Sequence, residues 1–338
     1  MIDKLTIGAR GSPLSLAQTQ TVAIELKKLY PDLVINIKPI ATKGDNLEAR
    51  PLSLGLKGLF VKEIELALLT GQIDLAIHSA KDLPTKLTRG LTLGPTPVRG
   101  PATDALVTLT GADLTTLPLK AKVGTSSLRR RALLLADRPD LEVEPLRGNL
   151  DTRLSKLKKG SLAAVVLAKA GLERLRRSDY QSHELSPTSF TPAPGQGTLA
   201  LEFREDDLAL HKLLAPLNHP PSALALGLER GAALALNLGC SVPAGVYARP
   251  FSDGFFVTGV IASLDGQERV RKEAFIMVND LVAAQAQGLS FGQYLLNAGG
   301  AAILARVAQT DLKDQEGFNA TEGLNATASL KINEGPKD

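Results

Sequence analysis

Hydrophobic and polar positions alternate along this chain in a recurring pattern. Leu5–Ile7 is a short apolar run followed by Gly8, Arg10, Ser12 and Pro13. Such a run predicts a buried strand. A serine followed by proline predicts an N-cap and the first helical position. At 100° per residue, Leu14, Val22, Leu26 and Leu29 fall within about 120° of one face, the side a helix buries. Pro31 closes that helix. The pattern returns at Lys122–Gly124, with caps at Thr125 to Ser127 and a helix to about Asp137. Leu141–Pro145 is extended, Arg147 and Gly148 follow, and Asn149 caps a helix ending near Gly160. Ala163–Ala168 is a continuous apolar strand before another helix start. "GQIDLAIHSAKDLPT" is a further strand, ending in the loop Ser79–Pro84.

Strands alternating with helices predict an α/β fold with parallel sheets, whose ligands bind beyond the carboxyl ends of the strands. Each turn named above is such an end. Each holds Arg or Lys, and most add Ser or Thr at a helix N-terminus, where unpaired N–H groups favour anions. Four or five such turns in one chain imply a ligand with several negative groups. After Pro216 the pattern changes. A proline-initiated helix, "NHPPSALALGLERGAALALNLGC", runs into a loop. Two extended runs about Asp265 and Gly266 predict a hairpin, and helical stretches follow at about 280–297 and 300–309. This is a small α+β unit. From Asp311 onward polar residues dominate, which predicts a disordered tail over 311–338.

Composition narrows the function classes. At 338 residues the chain should form two or three domains of ~100 residues each. Cys240 is the single cysteine, so neither an intramolecular disulfide nor a cysteine-cluster zinc site is available. The start of the chain holds no secretory apolar run, and no window nears the ~18 apolar residues of a membrane span. We read the protein as cytoplasmic, with no membrane partner. A net charge of +4 and a pI of about 9.1 raise the question of nucleic acid. Aromatics are only 4%, tryptophan is absent, and no basic run is interleaved with stacking residues, so no nucleic-acid partner is expected. The basic residues that stand out lie in "GTSSLRRR", "RGNLDTR" and "LERLRR". Gly195 to Ala200 has the dinucleotide spacing G-x-G-x-x-A, but Pro192 and Pro194 precede it, and Leu199, Leu201 and Phe203 alternate after it as in a strand. No phosphate-binding P-loop motif occurs. The histidines at 78, 183, 211 and 219 lack metal-ligand spacing, so no metal is expected. His78 lies in an apolar strand, as a core residue does; a Cys–His nucleophile pair would need it near Cys240.

Two residues keep two readings each. Asp82 follows Lys81 at a strand end and is either a turn residue or a carboxylate facing the ligand crevice. In the latter role, one acid among many bases suits a substrate that becomes cationic as it reacts. Cys240 is either a small buried hydrophobe or an accessible thiol acidified by basic surroundings.

The stretches "IGARGSPLSLAQ", "KGLFVKEIE", "DLAIHSAKDLPT", "VGTSSLRRRALL", "LRGNLDTRLSKL", "APGQGTLALE" and "GCSVPAG" together resemble the porphobilinogen deaminase family, also called hydroxymethylbilane synthases. The likeness runs from about Lys4 to about Gln309. It implies two doubly wound domains like those of periplasmic binding proteins, plus a small C-terminal α+β domain. Residues 1–97 and 198–215 would form the first, 98–197 the second and 216–310 the third. It also implies a transferase that joins four porphobilinogen units head to tail, each losing ammonia, to give hydroxymethylbilane.

The resemblance gives Cys240 a task. The matching cysteine carries a dipyrromethane cofactor through a thioether, and Gly239 leaves room for its first ring. Every pyrrole brings an acetate and a propionate, so the growing chain gains two negative charges per cycle. Arg129, Arg130, Arg147 and Arg153 would pair with these carboxylates, joined by Arg10 and Arg174. Ser12, Gln18, Ser79, Lys81, Thr125, Ser126, Ser127, Gly171 and Gln196 would complete the cofactor and substrate contacts. Lys57 and Phe60 would belong to a lid loop, and Asp82 would be the catalytic acid. The expected protein is a monomer acting on porphobilinogen. Leu238 stands where a glycine usually precedes Gly-Cys in the family. A reading from another class, a non-catalytic two-lobed anion-binding protein, accounts for the arginine turns but leaves Cys240 and Asp82 without a role.

Overall fold

The computed structural model describes residues 2–42, 61–238 and 242–309. Lys57, Phe60, Gly239, Cys240 and the 311–338 tail lie outside the described residues. Three sheets organise the chain. The first has β1 (Lys4–Arg10), β2 (Val34–Ile40), β3 (Leu75–Ser79), β4 (Leu91–Leu93) and β10 (Leu199–Arg204), in the order β2-β1-β3-β10-β4. The second has β5 (Asp104–Thr108), β6 (Lys122–Gly124), β7 (Glu142–Glu144), β8 (Ala164–Ala168) and β9 (Gln181–Glu184), in the order β7-β6-β8-β5-β9. The third is an antiparallel sheet of β11 (Ala244–Phe251), β12 (Gly254–Ala262) and β13 (Arg269–Ile276).

The first two sheets are mixed, not parallel as the alternation predicted. β1 runs parallel to β2 and β3, but β10 is antiparallel to β3 and β4. In the second sheet β6 runs parallel to β7 and β8, while β5 is antiparallel to β8 and β9. The cause is the double crossing of the chain. β5 and β10 are the strands that follow the two crossings, so each enters its sheet from the end where the others finish. Asp104 opens β5 opposite Ala168, and Leu199 opens β10 opposite Ser79. The crossing segments therefore run along the same edge as the strand ends that carry the basic turns.

The helices begin where the caps predicted. Ser12 Oγ accepts from Ser15 N at 3.3 Å before α1 (Pro13–Leu29). After α2 (Lys62–Leu69), Ser127 caps α3 (Leu128–Asp137) and Asn149 caps α4 (Leu150–Lys158). α5 (Lys169–Arg174) follows β8, and α6 (Leu208–Leu214) follows β10. One face differs from the prediction. Leu29 is 46% exposed, and Leu14 is only half-buried. The buried stripe of α1 is Ser15, Gln18, Thr19, Val22, Ala23 and Leu26. Its polar members are tolerated because each has a partner. Ser15 Oγ accepts from Arg10 N (3.1 Å), Gln18 donates to Ser79 Oγ (2.7 Å) and Thr19 to Ser15 O (3.0 Å).

Beside the third sheet, α7 (Pro220–Ala235) packs along α8 (Leu281–Leu295), and a last helical stretch spans 301–309. Glycine permits that approach. A β-carbon on Gly231 would lie 2.2 Å from Gln285 O, and one on Gly288 2.1 Å from Leu228 O. α7 also holds the domains together. Glu229, fully buried, receives Arg99 Nη1 on Oε1 (2.7 Å) and Nη2 on Oε2 (3.1 Å). Gly195 N donates to the same carboxylate at 2.6 Å and Ala248 N at 2.8 Å. Arg99 Nε reaches Gln196 O (2.9 Å). One carboxylate thus ties both crossing segments to α7 and β11. Arg99→Ala should leave Glu229 buried and unpaired, a loss of about 3–5 kcal/mol in denaturant unfolding. A loss below about 1 kcal/mol, the value of an exposed pair, would show the junction to be dispensable.

Candidate active-site cleft

The turns nominated from sequence meet across a cleft between the first two sheets. From the first come Arg10, at the end of β1, and the 3-10 turn Ala80–Asp82 that follows β3. From the second come Thr125–Ser127 after β6, Arg147 after β7, Arg153 on α4, and Gly171 and Arg174 on α5. The two sides act on each other electrically: Lys81 feels Arg130, and Arg153 feels Asp82.

The centre of this arrangement is a residue the sequence reading missed. Asp104 is fully buried at the start of β5. Its Oδ1 accepts from Arg130 Nε (3.0 Å) and Nη2 (2.7 Å) and from Gln196 Nε2 (3.0 Å). Its Oδ2 lies 2.8 Å from Arg129 Nη1. Arg129 Nη1 also donates to Thr191 O (2.8 Å), and Arg130 Nη1 to Val166 O (2.9 Å). Gln196 donates to Ala102 O (2.7 Å) and accepts from Lys81 Nζ (3.2 Å). Burial alone would raise the Asp104 carboxyl, but Arg129 and Arg130 outweigh it and hold it well below the ordinary carboxylate range. The available signal was an acid heading the mostly apolar strand "DALVTL".

This cluster sets Arg129, Arg130 and Lys81 against one carboxylate, so positive charge is in surplus. The strain shows in the cations. Burial, with Arg130 and Arg129 adding to it against Asp82 and Asp104, lowers Lys81 to about 8. Burial, then Arg130, lowers Arg153 to about 10 against the pull of Asp82. Burial also lowers Arg129 and Arg174. Buried cations in excess of buried anions make a ready site for carboxylates brought by a ligand.

The nominated hydroxyls have structural partners of their own. Ser126 Oγ donates to Leu146 O and accepts from Leu146 N, both at 2.9 Å, cross-linking the turns after β6 and β7. Buried Thr125 accepts from Ser127 N at 3.2 Å. Ser12 and Ser127 cap helices, and Ser79 accepts from Gln18. Gly171 sits where an added β-carbon would lie 3.3 Å from Leu150 and 3.7 Å from Leu14, so it lets α5 approach α1. Arg174 Nη2 donates to Gly197 O (2.7 Å), and Arg153 Nε to Gly148 O (2.9 Å). Arg147 is half-buried, and Asp82 is exposed at the cleft. Buried His78 lies 3.0 Å from Glu202, a core pairing.

Comparison with known proteins places this geometry. The family model described as "Porphobilinogen deaminase, dipyromethane cofactor binding domain" matches residues 5–212. The chain belongs to the porphobilinogen deaminase family. It is 44% identical over 305 residues to the porphobilinogen deaminase of Maridesulfovibrio salexigens, covering 90% of this chain and 98% of that one. With that of Natranaerobius thermophilus it shares 47% over 279 residues, covering 82% and 90%. Among solved structures it is similar to the Bordetella pertussis BvgS periplasmic VFT2 domain, with TM-score 0.39 and 17% identity over 64% of this chain and 87% of that one.

The family's dipyromethane cofactor fits what this cleft offers. A two-ring pyrrole with four carboxylate arms needs cations that the protein has not itself neutralised, and the Arg129–Arg130–Lys81 cluster has them. Leu238 and Val242, on either side of residues 239–241, pack on the core between α7, α8 and the third sheet. Five residues past Cys240, a β-carbon on Gly245 would lie 3.1 Å from Arg129 Cδ and 2.5 Å from Thr191 O. β11 therefore starts against Arg129. Among the described residues no cluster of His, Cys, Asp or Glu suits a metal, and no helix is long and apolar enough to cross a membrane.

The lowered Lys81 has a measurable consequence. Raising the pH through about 8 removes its charge, so attraction for carboxylates falls as pH rises. The rate at which cofactor-free protein takes up porphobilinogen to build its cofactor should decline above that value. Lys81→Arg should move the decline upward by at least about one pH unit, since arginine stays charged. An unmoved alkaline limb would assign it to another group.

Proposed function

We propose that this cleft carries out the family's reaction, joining four porphobilinogen units into hydroxymethylbilane with loss of one ammonia per unit, on a dipyrromethane held by the Cys240 sulfur. The observation that carries this reading is the surplus of buried cations around Asp104, facing one exposed carboxylate, Asp82. The cofactor, when bound, supplies the pyrrole carbon to which the first unit is joined. The chain's own residues do the rest. Arg129, Arg130 and Lys81 take carboxylates of the cofactor. Arg147 and Arg153 take those of the incoming unit, and Arg10 and Arg174 those of later rings. Asp82 accepts the pyrrole N–H groups.

When porphobilinogen loses its amine as ammonia, positive charge develops on its ring. Asp82 is the acid of the turn facing this cleft and offsets that charge. After the new carbon–carbon bond forms, the same carboxylate can accept the α-proton of the attacking ring, whose loss restores that ring's aromaticity. Lys57 and Phe60 would cover the cleft as a lid. The working protein would be a cytoplasmic monomer. A purely anion-binding role leaves Asp82 and the cysteine loop without a task.

Two variants test this. Cys240→Ser should lose the covalent mass of two pyrrole rings and nearly all activity, and should melt earlier because it lacks a ligand that binds only the native state. Asp82→Asn keeps the shape of the side chain and removes its charge. Once shown by mass to be loaded, it should lose at least about 100-fold in kcat. A loaded Asn variant within a few-fold of wild type would make Asp82 a turn residue only.

A further inference from the structure

We propose that Arg230, on α7, is a positioning residue for the reaction: by holding the chain that leaves the Asp82 turn, it sets where the Asp82 carboxylate stands in the cleft. The inference rests on the reading of Asp82 as the acid of the reaction. Arg230 Nη2 donates to Pro84 O at 2.9 Å and to Thr85 O at 3.0 Å, just past that acid. Asp82 is exposed, so the place of its side chain follows from the backbone that carries it.

The turn is held differently on its two sides. On the entry side Gln18 donates to Ser79 Oγ (2.7 Å), Ala80 N to Thr198 O (3.0 Å) and Lys81 Nζ to Gln196 Oε1 (3.2 Å). On the exit side the backbone bond from Leu83 N to Ala80 O is 3.4 Å, longer than an ordinary N–H···O bond. Pro84 has no N–H to give. Leu83 is buried with Ala80, Ala200 and Leu226, but apolar burial has no direction. The two bonds from Arg230 do have direction, and they fix the carbonyls next to the acid.

Consecutive residues of α7 grip both flanks of the turn. Glu229 Oε2 accepts from Gly195 N (2.6 Å). Gly195 lies against the entry side, where its β-carbon would be 3.1 Å from Ala80 C and from Lys81 N. Arg230 takes the exit side. The same helix ends at Ala235, and the chain runs from there to Cys240. α7 therefore links the segment leading to the cofactor's sulfur with the turn that carries the acid. Stability does not account for a cation at this place. Burial lowers Arg230 against the pull of Glu202, and Glu202 itself lies against His78, at 3.0 Å. An apolar side chain of similar size would avoid that desolvation. What the guanidinium adds is a pair of directed bonds at the Asp82 turn.

The test is a double-variant cycle in kcat, on holoenzyme shown by intact mass to carry its cofactor. Arg230→Gln should lose about tenfold in kcat with KM within about twofold of wild type, the pattern of an interaction used only in the transition state. In an Asp82→Asn background the same change should cost less than about twofold, because no carboxylate is left to place. Arg230→Lys keeps a cationic donor and should lose only about threefold. Leu228→Val, on the same helix but packed on the core beside the third sheet, should melt earlier with kcat unchanged, which separates positioning from loss of stability. A tenfold loss repeated in full beside Asp82→Asn overturns the positioning role. So does an Arg230→Gln within about twofold of wild type while Asp82→Asn loses about 100-fold, and in both cases the proposed function stands. A loaded Asp82→Asn at the wild-type rate defeats the reading of Asp82 and this inference with it. If Arg230→Gln does not fold or load, Arg230→Lys carries the cycle: a loss that vanishes beside Asp82→Asn supports the role, and wild-type turnover overturns it.

Discussion

The working surface of this protein depends on one buried carboxylate. Asp104 lies between two arginines on α3 and a glutamine on the returning crossover, with Lys81 of the first domain one hydrogen bond further on. A buried ion pair is a poor source of stability, because desolvation offsets most of the attraction. This cluster does something else. It holds guanidinium groups in fixed places, with their charges incompletely balanced, at the junction of two domains. Preorganised charge of that kind binds a polyanion without reorganising at each encounter.

The rest of the fold can be understood as support for that placement. β5 must begin at the cleft edge for Asp104 to be there, which is why it runs against β8. β10 reverses for the same reason. Glycine admits the crossovers where they press together. Gly197, at φ +86°, has Gly100 O 2.5 Å from where a β-carbon would sit. The Arg99–Glu229 pair then joins both crossovers to α7, and Arg230 of the same helix donates to Pro84 O and Thr85 O just past the Asp82 turn. The helix α7 thus reaches the Asp82 turn, and β11 reaches Arg129.

Much of this was legible in the residues. Serine before proline marked the start of α1, and Asn149 marked that of α4. Leu199, Leu201 and Phe203 identified a strand where a dinucleotide motif was the competing reading. What escaped detection depended on contacts distant in sequence. Asp104 is one acid at the head of an apolar strand, and nothing local says that two arginines about 25 residues later close on it. Strand direction escaped for the same reason, since alternation of elements does not reveal a chain that crosses between sheets twice. Leu29 left the predicted face because α1 turns its small polar residues inward, where Ser79 and Arg10 partner them. The family's motif residues came from resemblance, and spacing alone would have left Asp82 and Cys240 with two readings each.

The most direct test of this account is the intact mass of Asp104→Asn beside wild type, each purified under native conditions and checked for folding by circular dichroism. Wild type should carry the added mass of two pyrrole rings. The Asn variant should fold, yet emerge largely without them, because its arginines lose the charge that places them. An Asn variant that folds, carries the full added mass and turns over at the wild-type rate would contradict the claim that Asp104 organises the site.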